Sequence, residues 1–346
     1  MKELDKLPIP LLLWYRENAR VLPWRSDPTP YHVLVSEIML QQTRVAAVLE
    51  YYPRFLEAAP TVAALAALPE DRLMKLWQGL GYYSRARNLQ RAARQIMEEH
   101  GGIFPNTYDS IRALAGVGDY TAGAVSSIAF GLPRPAVDGN VLRVAARVCA
   151  DRDDISSPAV KRRVADALAR IIPVDCPGDF NQALMDLGAL VCLPNGAPLC
   201  DRCPAADFCR ARREGLTGIL PVRAPKPPRK VETRTVYLLF HGPAVALRRR
   251  PDRGLLAGLW EYPSGPDENC LAGWGLPPVP LERAGAGIYV FSHVEWHMTA
   301  LAGELPSAGL PEGWVWADQA GLRDRYAVPS AFSCFREAVA GRLGHF

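Results

Sequence analysis

Glu37 is a carboxylate in apolar surroundings, in the segment VLVSEIMLQQT, where no other Asp, Glu, Lys or Arg occurs between Tyr31 and Leu40. Loss of hydration in such a stretch raises the pKa of a carboxyl group, as a general acid at neutral pH requires. The alternatives are a buried glutamate with a structural hydrogen bond and a glutamate on an exposed helix face. Glu37 is therefore a candidate proton donor.

Asp138 lies in the segment PAVDGNVLRV, where Asp-Gly-Asn after a proline-containing loop predicts a helix N-cap. A capping aspartate stays ionised because the helix N-terminus stabilises its charge. An ionised carboxylate that faces a protonated one is the arrangement that cleavage of a glycosidic bond requires, since one group protonates the leaving group and the other stabilises a cationic sugar. A purely structural cap is the alternative.

Four cysteines lie close together in the spacing C-x7-C-x2-C-x5-C, namely Cys192, Cys200, Cys203 and Cys209. Thiolates at short spacing select zinc or an iron–sulfur cluster. Zinc sites usually contain two tight cysteine pairs, and only one tight pair occurs here, so the spacing favours a four-iron cluster. Four unligated thiols are the alternative. The other four cysteines are interpreted as ordinary thiols.

A glycine-rich turn occurs in the segment LAGVGDYTA at 114–122. Gly116 and Gly118 permit a tight turn with positive φ, and the next helix is predicted to start near Asp119 to Thr121. Free N–H groups at such a helix start bind phosphate well. With a predicted helix over 108–114, the pattern has the form of a helix–hairpin–helix, although a plain loop between helices is the alternative.

The elements that must position these groups are predominantly helical from about residue 8 to 210. Apolar residues recur at helical spacing, with Gly and Pro between the segments. One such face consists of Val160, Val164, Leu168 and Ile171. The pattern predicts an all-α domain over 1–219.

The segment LPVRAPKPPRK at 220–230 is too rich in proline to continue a helix and predicts a linker over 220–231. Beyond it, apolar runs at 236–240 and in AVAL after the HGP turn predict two strands. Two further strands are predicted at 287–291 and near 298–301, and an amphipathic helix near Ser330, with Phe332, Phe335 and Val339 on one face. We therefore expect an α+β domain over 232–346.

The overall composition sets broad limits. The 346 residues suffice for about two domains, and 49% of them are hydrophobic. The formal net charge of +4 is compatible with a polyanionic partner without being diagnostic of one. The N-terminus contains no long apolar run, so we expect no signal sequence, no membrane span and a cytoplasmic location, associated with the nucleoid.

In this order along the chain, the motifs resemble those of adenine DNA glycosylases of the MutY family, in the helix–hairpin–helix superfamily that also contains endonuclease III. The resemblance extends over nearly the whole chain. Its strongest segments are LPWR at 22–25, SEIMLQQTRV at 36–45, GLGYYSRARNL at 79–89, AGVGDYTAGA at 115–124, VDGNV at 137–141, FNQALMDLGALVC at 180–192 and the four-cysteine loop.

The resemblance assigns catalytic roles. Glu37 matches the general acid that protonates adenine N7, and Asp138 matches the carboxylate that stabilises the developing positive charge on the sugar. Asn140 and Tyr120 match residues that orient this site. Endonuclease III-like enzymes have a nucleophilic lysine at position 120, so Tyr120 implies a monofunctional glycosylase that uses water. The ligands of a [4Fe-4S] cluster would be Cys192, Cys200, Cys203 and Cys209.

The resemblance also assigns DNA contacts. The adenine pocket corresponds to Trp24, Arg25, Leu40 and Gln182. Side chains that insert into the base stack beside the opposing base correspond to Gln42 and Tyr82. The hairpin amides at Gly116 and Gly118 would hold the phosphate backbone, with Arg85 and Arg87 as candidates for further phosphate contacts or for a solvated helix face.

The C-terminal part resembles the Nudix-like recognition domain of the same family, through GLLAGLWEYP at 254–263 and the Phe-Ser-His motif. The resemblance implies that Phe291, Ser292 and His293 read 8-oxoguanine. A strand end with a surface histidine is the alternative. The acidic Nudix hydrolase motif is absent from the sequence, so we expect no nucleotide hydrolysis.

The expected partner is duplex DNA that contains adenine opposite 8-oxoguanine or guanine, bound by a monomer. Three alternatives remain open at this point. They are an endonuclease III-like glycosylase and lyase, a non-catalytic iron–sulfur protein that binds DNA, and a zinc-binding interaction module. Tyr120 argues against the first, and the pair Glu37 and Asp138 argues against the second.

Overall fold

The fold is described from a computed structural model, which covers residues 1–225, 227–266 and 270–346. The chain divides into two compact units. The first consists of Met1–Ala67 and Asn88–Pro225, and the second of Leu68–Arg87 with the described part of Lys226–Phe346. The division after Pro225 falls within the segment predicted as a linker, of which residue 226 lies outside the described residues.

The sequence pattern did not predict that Leu68–Arg87 belongs to the second unit. Hydrogen bonds from this segment to backbone carbonyls near the C-terminal end of the chain explain the assignment. The ammonium of Lys75 donates to the carbonyl of Leu322 at 2.8 Å, and the amide of Gln78 donates to the carbonyl of Val328 at 2.8 Å. A polar side chain that must reach a carbonyl about 250 residues away in sequence leaves no signal in local periodicity.

The helices up to residue 213 confirm the predicted helical class. In chain order they are α1 (Pro8–Asn18), α2 (Pro23–Ser26), α3 (Pro30–Leu40), α4 (Val45–Ala58), α5 (Val62–Ala67), α6 (Glu70–Leu76), α7 (Ser84–Glu99), α8 (Tyr108–Arg112), α9 (Asp119–Phe130), α10 (Gly139–Cys149), α11 (Pro158–Ile171), α12 (Pro177–Leu190) and α13 (Arg210–Arg213). Short 3-10 helices cover Lys2–Lys6 and Cys200–Arg202.

Local chemistry sets the helix boundaries. Proline occupies the first turn of α1, α2, α3, α11 and α12, where its missing N–H costs no hydrogen bond. The side chain of Thr29 caps α3, and Gly131 ends α9 in the left-handed conformation with φ of 65°.

One buried cluster joins α1, α10, α11 and α12 in the first unit. Leu11, Val144, Val160 and Phe180 represent the four helices in it. Gly188 allows α12 to approach the start of α10 closely, because a Cβ at this position would lie 2.6 Å from the Cβ of Asn140. The packing therefore holds the N-terminus of α10 against α12.

The second unit contains a seven-stranded mixed sheet, which confirms the predicted α+β class. The strands are β1 (Lys230–His241), β2 (Ala244–Arg249), β3 (Trp260–Glu261), β4 (Ser264–Gly265), β5 (Glu282–Val290), β6 (Val294–Glu304) and β7 (Trp314–Asp318). The order is β3-β2-β1-β6-β5, while β4 also pairs with β1 and β7 with β2. The pair β1 and β6 is parallel, with Val236 opposite Ala300, and the other pairs are antiparallel.

Apolar residues cover both faces of the sheet. Val236, Leu238 and Phe240 of β1 contribute to one cluster, and Tyr237 and Leu239 contribute to another. The remaining helical elements are α14 (Cys270–Gly273), a π-helical turn (Gly321–Arg325), a 3-10 helix (Ser330–Phe335) and α15 (Arg336–Leu343). The predicted amphipathic helix near Ser330 is thus a 3-10 helix followed by α15, and its predicted apolar face is buried.

None of the described helices combines the length and the apolar character that a membrane crossing requires.

Candidate active site

Glu37 lies in the last turn of α3, and it is almost completely buried, with 5% of the residue surface exposed. Burial raises the pKa of this carboxyl group to about 7, although a hydrogen bond from Tyr120 opposes the rise. The hydroxyl of Tyr120, in the first turn of α9, donates to Oε2 of Glu37 at 2.5 Å. The environment predicted for Glu37 is therefore present, and it leaves the group able to carry a proton near neutral pH.

Asp138 is the N-cap of α10, as predicted. Its Oδ1 accepts a hydrogen bond from the backbone N–H of Val141 at 2.7 Å, and its Oδ2 accepts one from the amide of Asn140 at 2.8 Å. Burial nevertheless raises the pKa of Asp138 above its ordinary value, and these hydrogen bonds offset the rise only in part. The predicted capping position is therefore confirmed, and the expectation that Asp138 is ionised stays a prediction, because desolvation and the capping hydrogen bonds act on its pKa in opposite directions.

A buried arginine fixes the amide of Asn140. The guanidinium of Arg143 donates to Oδ1 of Asn140 at 2.9 Å and to the carbonyl of Gly188 at 2.8 Å. Its Nε also donates to the carbonyl of Cys192 at 2.8 Å. With its carbonyl oxygen held by Arg143, Asn140 directs its NH2 group to Asp138.

One cavity of about 480 Å³ contains both carboxylates. This volume lies within the range of about 300–1,000 Å³ that is typical of small-molecule pockets. The structure brings together all nine residues of the first unit that were predicted for catalysis, the base pocket or insertion beside it. They are Trp24, Arg25, Glu37, Leu40, Gln42, Tyr120, Asp138, Asn140 and Gln182.

Two charged residues of this region were not singled out from the sequence. Arg20 lines the cavity, and Asp186 lies behind it with no exposed surface. Asp186 pairs with Arg20 at 2.6 Å and with Arg25 at 2.8 Å. The one available signal was the position of Asp186 one helical turn after Gln182 within the segment FNQALMDLGALVC.

Both predicted inserting residues have strained backbones. Gln42 in the first unit has a φ of 57°, and Tyr82 in the second unit has a φ of 46°. Left-handed backbone costs free energy for residues with a side chain, and such strain concentrates at functional sites. The ring of Tyr82 is 46% exposed, and the guanidinium of Arg85 lies 5.7 Å from its centroid.

The glycine-rich turn joins α8 to α9, which confirms the helix before it and the start at Asp119. Gly116 has a positive φ of 75°, whereas Gly118 is extended with φ of −98°. The expectation of positive φ at both glycines is therefore wrong for Gly118, which serves as the N-cap. Since Gly118 offers no capping side chain, the first N–H groups of α9 remain available to a ligand.

The candidate phosphate contacts Arg85 and Arg87 are already engaged. Arg85 is buried and donates to the carbonyls of Leu80 and Gly81, both at 3.0 Å. The guanidinium of Arg87 pairs with Glu70 at 2.7 Å. The alternative of a solvated helix face is therefore wrong for Arg85, which is buried, while the phosphate contact of the partly exposed Arg87 stays a prediction.

The four clustered cysteines line one largely apolar cavity in the first unit, which also contains Val144, Leu187 and Ala205. Burial raises the pKa of the Cys203 thiol to about 12. Among the described residues, no three His, Cys, Asp or Glu side chains converge closely enough to hold a single metal ion. The structure does bring all four predicted cysteines to the lining of one cavity.

The Phe-Ser-His motif forms the turn between β5 and β6 in the second unit. Phe291 packs edge-on against Tyr289 and Trp296, with ring centroids 4.7 and 4.8 Å away. Ser292 and His293 are exposed and lie 3.2 Å apart between the hydroxyl and Nδ1. The motif thus has one anchoring ring and two polar groups that face solvent.

Comparison with known proteins agrees with this architecture. Residues 35–170 match the HhH-GPD superfamily of base excision DNA repair proteins, and residues 235–337 match the NUDIX domain. The adenine DNA glycosylase of Rattus norvegicus is 38% identical over an alignment of 403 positions, gaps included, which covers 96% of this chain and 78% of the relative.

Two solved structures resemble the first part of the chain. A thermostable thymine-DNA glycosylase aligns with a TM-score of 0.55 and 27% identity, over 62% of this chain and 98% of that chain. Endonuclease III in a non-covalent complex with DNA aligns with a TM-score of 0.52 and 26% identity, over 61% of this chain and 97% of that chain.

Proposed function

This chain belongs to the adenine DNA glycosylase family, whose members bind DNA. We propose that its substrate is adenine opposite 8-oxoguanine or guanine in duplex DNA. The reaction is hydrolysis of the N-glycosidic bond of that adenine. The phosphate backbone remains intact, and the product is an abasic site.

The observation that carries this proposal is a pair of carboxylates in one cavity, of which Glu37 is buried and Asp138 is half-buried. Burial raises the pKa of Glu37 to about 7, so this carboxyl group can hold a proton near neutral pH, where a glutamate in water is ionised. Asp138 lines the same cavity, and two hydrogen bonds stabilise its charge. The cavity therefore offers a proton donor and an anion to one bound group.

In the first step, an adenine extruded from the stack enters the cavity, and Glu37 donates its proton to N7. The bond between C1′ and N9 then breaks, its electron pair goes to the purine, and the sugar becomes an oxocarbenium cation. Asp138 lowers this barrier because it places negative charge beside the cation.

In the second step, a water molecule attacks C1′ and completes the hydrolysis. The water loses one proton to the carboxylate of Glu37, which restores the acid for the next cycle. Tyr120 holds Glu37 in place through its hydrogen bond. Because a phenol, unlike an amine, forms no Schiff base with the sugar, Tyr120 supports a glycosylase without lyase activity.

DNA binding is assigned to three features. The free amides at the start of α9 would hold a phosphate of the backbone. Gln42 and Tyr82 would insert beside the base opposite adenine, and their left-handed backbones support this role. Ser292 and His293 would read 8-oxoguanine through hydrogen bonds, with Phe291 as the anchor of the turn.

The four cysteines that line one apolar cavity would hold a [4Fe-4S] cluster. Four thiols offer the soft ligands that an iron–sulfur cluster requires, and the presence of only one tight cysteine pair favours a cluster over zinc. Such a cluster would stabilise the loop from Cys192 to Cys209, and the hydrolysis requires no step on it.

The proposal is tested with duplexes that contain one adenine opposite 8-oxoguanine, guanine or thymine. After incubation, one half of each sample is treated with hot alkali, which breaks the strand at abasic sites. We expect breaks at adenine opposite 8-oxoguanine and guanine, only after alkali. Breaks without alkali would mean that a lyase nucleophile acts, and no breaks with either treatment would contradict the proposed substrate.

A further inference from the structure

Asp186 is a carboxylate on α12 with no exposed surface, and it accepts hydrogen bonds from two arginines. Its Oδ1 accepts from Nε of Arg20 at 2.7 Å and from Nη2 of Arg25 at 2.9 Å. Its Oδ2 accepts from the backbone N–H of Arg20 at 3.1 Å and from Nη1 of Arg25 at 2.8 Å. Both carboxylate oxygens of Asp186 therefore accept hydrogen bonds, as a buried carboxylate requires.

The contact with Arg25 is bidentate, because each terminal nitrogen of the guanidinium donates to a different oxygen of the carboxylate. Such pairs fix the plane of the guanidinium as well as its position. Nη1 of Arg25 also donates to the carbonyl of Arg20 at 3.0 Å, and the guanidinium carbon lies 5.7 Å from the ring centroid of Tyr15. The orientation of Arg25 is therefore set from several sides.

Arg25 connects this buried cluster to the reaction site. Its side chain lines the cavity that contains Glu37, whereas Asp186 itself does not. The positive charge of Arg25 acts on Glu37 in the direction that favours ionisation of the acid. A change in the position of Arg25 would therefore change the electrostatic environment of Glu37, although Asp186 does not line the cavity.

We propose that Asp186 is a positioning residue for base excision, which holds the guanidinium of Arg25 at the wall of the cavity beside Glu37. This proposal rests on the function proposed above. The carboxylate acts in two ways. It prevents rotation of the Arg25 head group, and its negative charge offsets the positive charge of that guanidinium next to a sugar that becomes cationic in the transition state.

Asp186→Asn removes the charge and keeps the size of the side chain. In single-turnover reactions with excess enzyme and adenine opposite 8-oxoguanine, we expect the excision rate constant to fall by about tenfold or more, since a small misplacement can cost about a hundredfold. The Kd for a duplex with tetrahydrofuran in place of the adenosine is expected to change by less than about twofold, because this ligand has no base to occupy the cavity.

Asp186→Glu provides the conservative control, since it restores the charge and is expected to recover part of the rate. Arg25→Lys keeps the positive charge but cannot form the bidentate contact. This variant should show the same loss of excision rate even if Asp186→Asn does not fold. Because Asp186 acts through Arg25, Asp186→Asn should cause little further loss when it is added to Arg25→Ala.

Three results would overturn the proposal, all measured beside a wild-type protein that excises adenine. They are an unchanged rate in folded Asp186→Asn, equal losses of excision rate and of affinity for the tetrahydrofuran duplex, and independent, multiplicative losses in the double variant. Absence of excision by the wild-type protein would instead contradict the proposed function. The two failures are therefore distinguishable.

Discussion

At the scale of single residues, the properties of the candidate acid come from its surroundings. Burial raises the pKa of Glu37, and the charge of Asp138 raises it further, while Tyr120 and Arg25 oppose the rise. The balance leaves the pKa of this carboxyl group at about 7. A glutamate in water would be fully ionised at that pH and would have no proton to give.

The pH dependence of excision follows from this pKa. Since the protonated form of Glu37 is the active one, the single-turnover rate constant should be highest below pH 7 and should fall by about tenfold per pH unit well above it. Tyr120→Phe removes a hydrogen bond that favours the ionised form and so raises the pKa of Glu37. Its falling limb should therefore lie at higher pH than that of the wild-type protein.

Rate constants measured from pH 5.5 to 9 test this, with base loss scored after alkali. The tetrahydrofuran duplex gives the matched control, because its affinity should not follow the same curve. A falling limb at the same pH in Tyr120→Phe would show that this hydroxyl does not set the charge of Glu37.

Much of the residue chemistry could be predicted from the sequence where it depends on near neighbours. The apolar segment around Glu37 and the capping position of Asp138 are local features. The roles of Arg85 and Asp186 were not found, because each depends on where a long side chain turns in three dimensions. Arg85 bonds to nearby carbonyls instead of facing solvent, and Asp186 meets Arg20 across 166 positions of sequence.

At the scale of elements, the turn between α8 and α9 provides a test with a built-in control. Gly116 has a φ of 75°, and a Cβ there would lie 2.5 Å from the Cβ of Asn88. Gly118 has ordinary backbone and open space around the same position. Gly116→Ala should lower the free energy of unfolding by about 1–3 kcal/mol and weaken DNA binding, whereas Gly118→Ala should change both little.

Urea unfolding and a titration with undamaged duplex DNA measure the two effects. Unchanged stability and unchanged DNA affinity in Gly116→Ala would show that the shape of this turn matters for neither property.

In the turn between β5 and β6, one residue packs against the sheet unit and two others are candidates for recognition of 8-oxoguanine. Replacing Ser292 and His293 together by alanine removes exposed groups, so stability should be retained. If these groups read 8-oxoguanine, the preference for it over guanine opposite adenine should fall by about two- to tenfold per lost hydrogen bond. Phe291→Ala should instead lower the melting temperature, because this ring packs against Tyr289 and Trp296.

Competition between the two mispairs in one reaction measures this preference. An unchanged preference in the double variant would remove the turn from recognition of the lesion.

Strands that contain a continuous run of apolar residues could be predicted from the sequence, and the shortest strands could not. The runs around 236–240 and 298–301 mark β1 and β6, although both strands extend several residues further. Strands β3 and β4 contain two residues each, too few for a periodic pattern. The parallel pairing of β1 with β6 depends on the path of the whole chain and leaves no local signature.

At the scale of the whole molecule, the chain combines a helical unit that contains the cavity with a sheet unit that contains the Phe-Ser-His turn. The sequence marks the change between them at the proline-rich segment near 220–231. It gives no sign that Leu68–Arg87 belongs with the sheet unit, because the contacts of Lys75 and Gln78 are to backbone carbonyls, which every residue offers.

The cysteine loop predicts a property of the intact protein. Purified anaerobically, the chain should contain about four iron atoms and absorb light at about 400 nm. Cys203→Ser removes a thiol from the apolar cavity, so iron content and melting temperature should both fall. Cys334→Ser, at an exposed position of the second unit, is the control and should change neither. A wild-type protein that binds zinc, or that loses nothing in Cys203→Ser, would contradict the cluster assignment.

The central claim, that Glu37 is the acid that releases adenine, is tested most directly by Glu37→Gln. This variant keeps the shape of the side chain and cannot deliver an acidic proton. With adenine opposite 8-oxoguanine, its single-turnover excision should fall by at least about a hundredfold, while its Kd for the tetrahydrofuran duplex stays near that of the wild-type protein. Excision by folded Glu37→Gln at a rate close to that of the wild-type protein would contradict the claim.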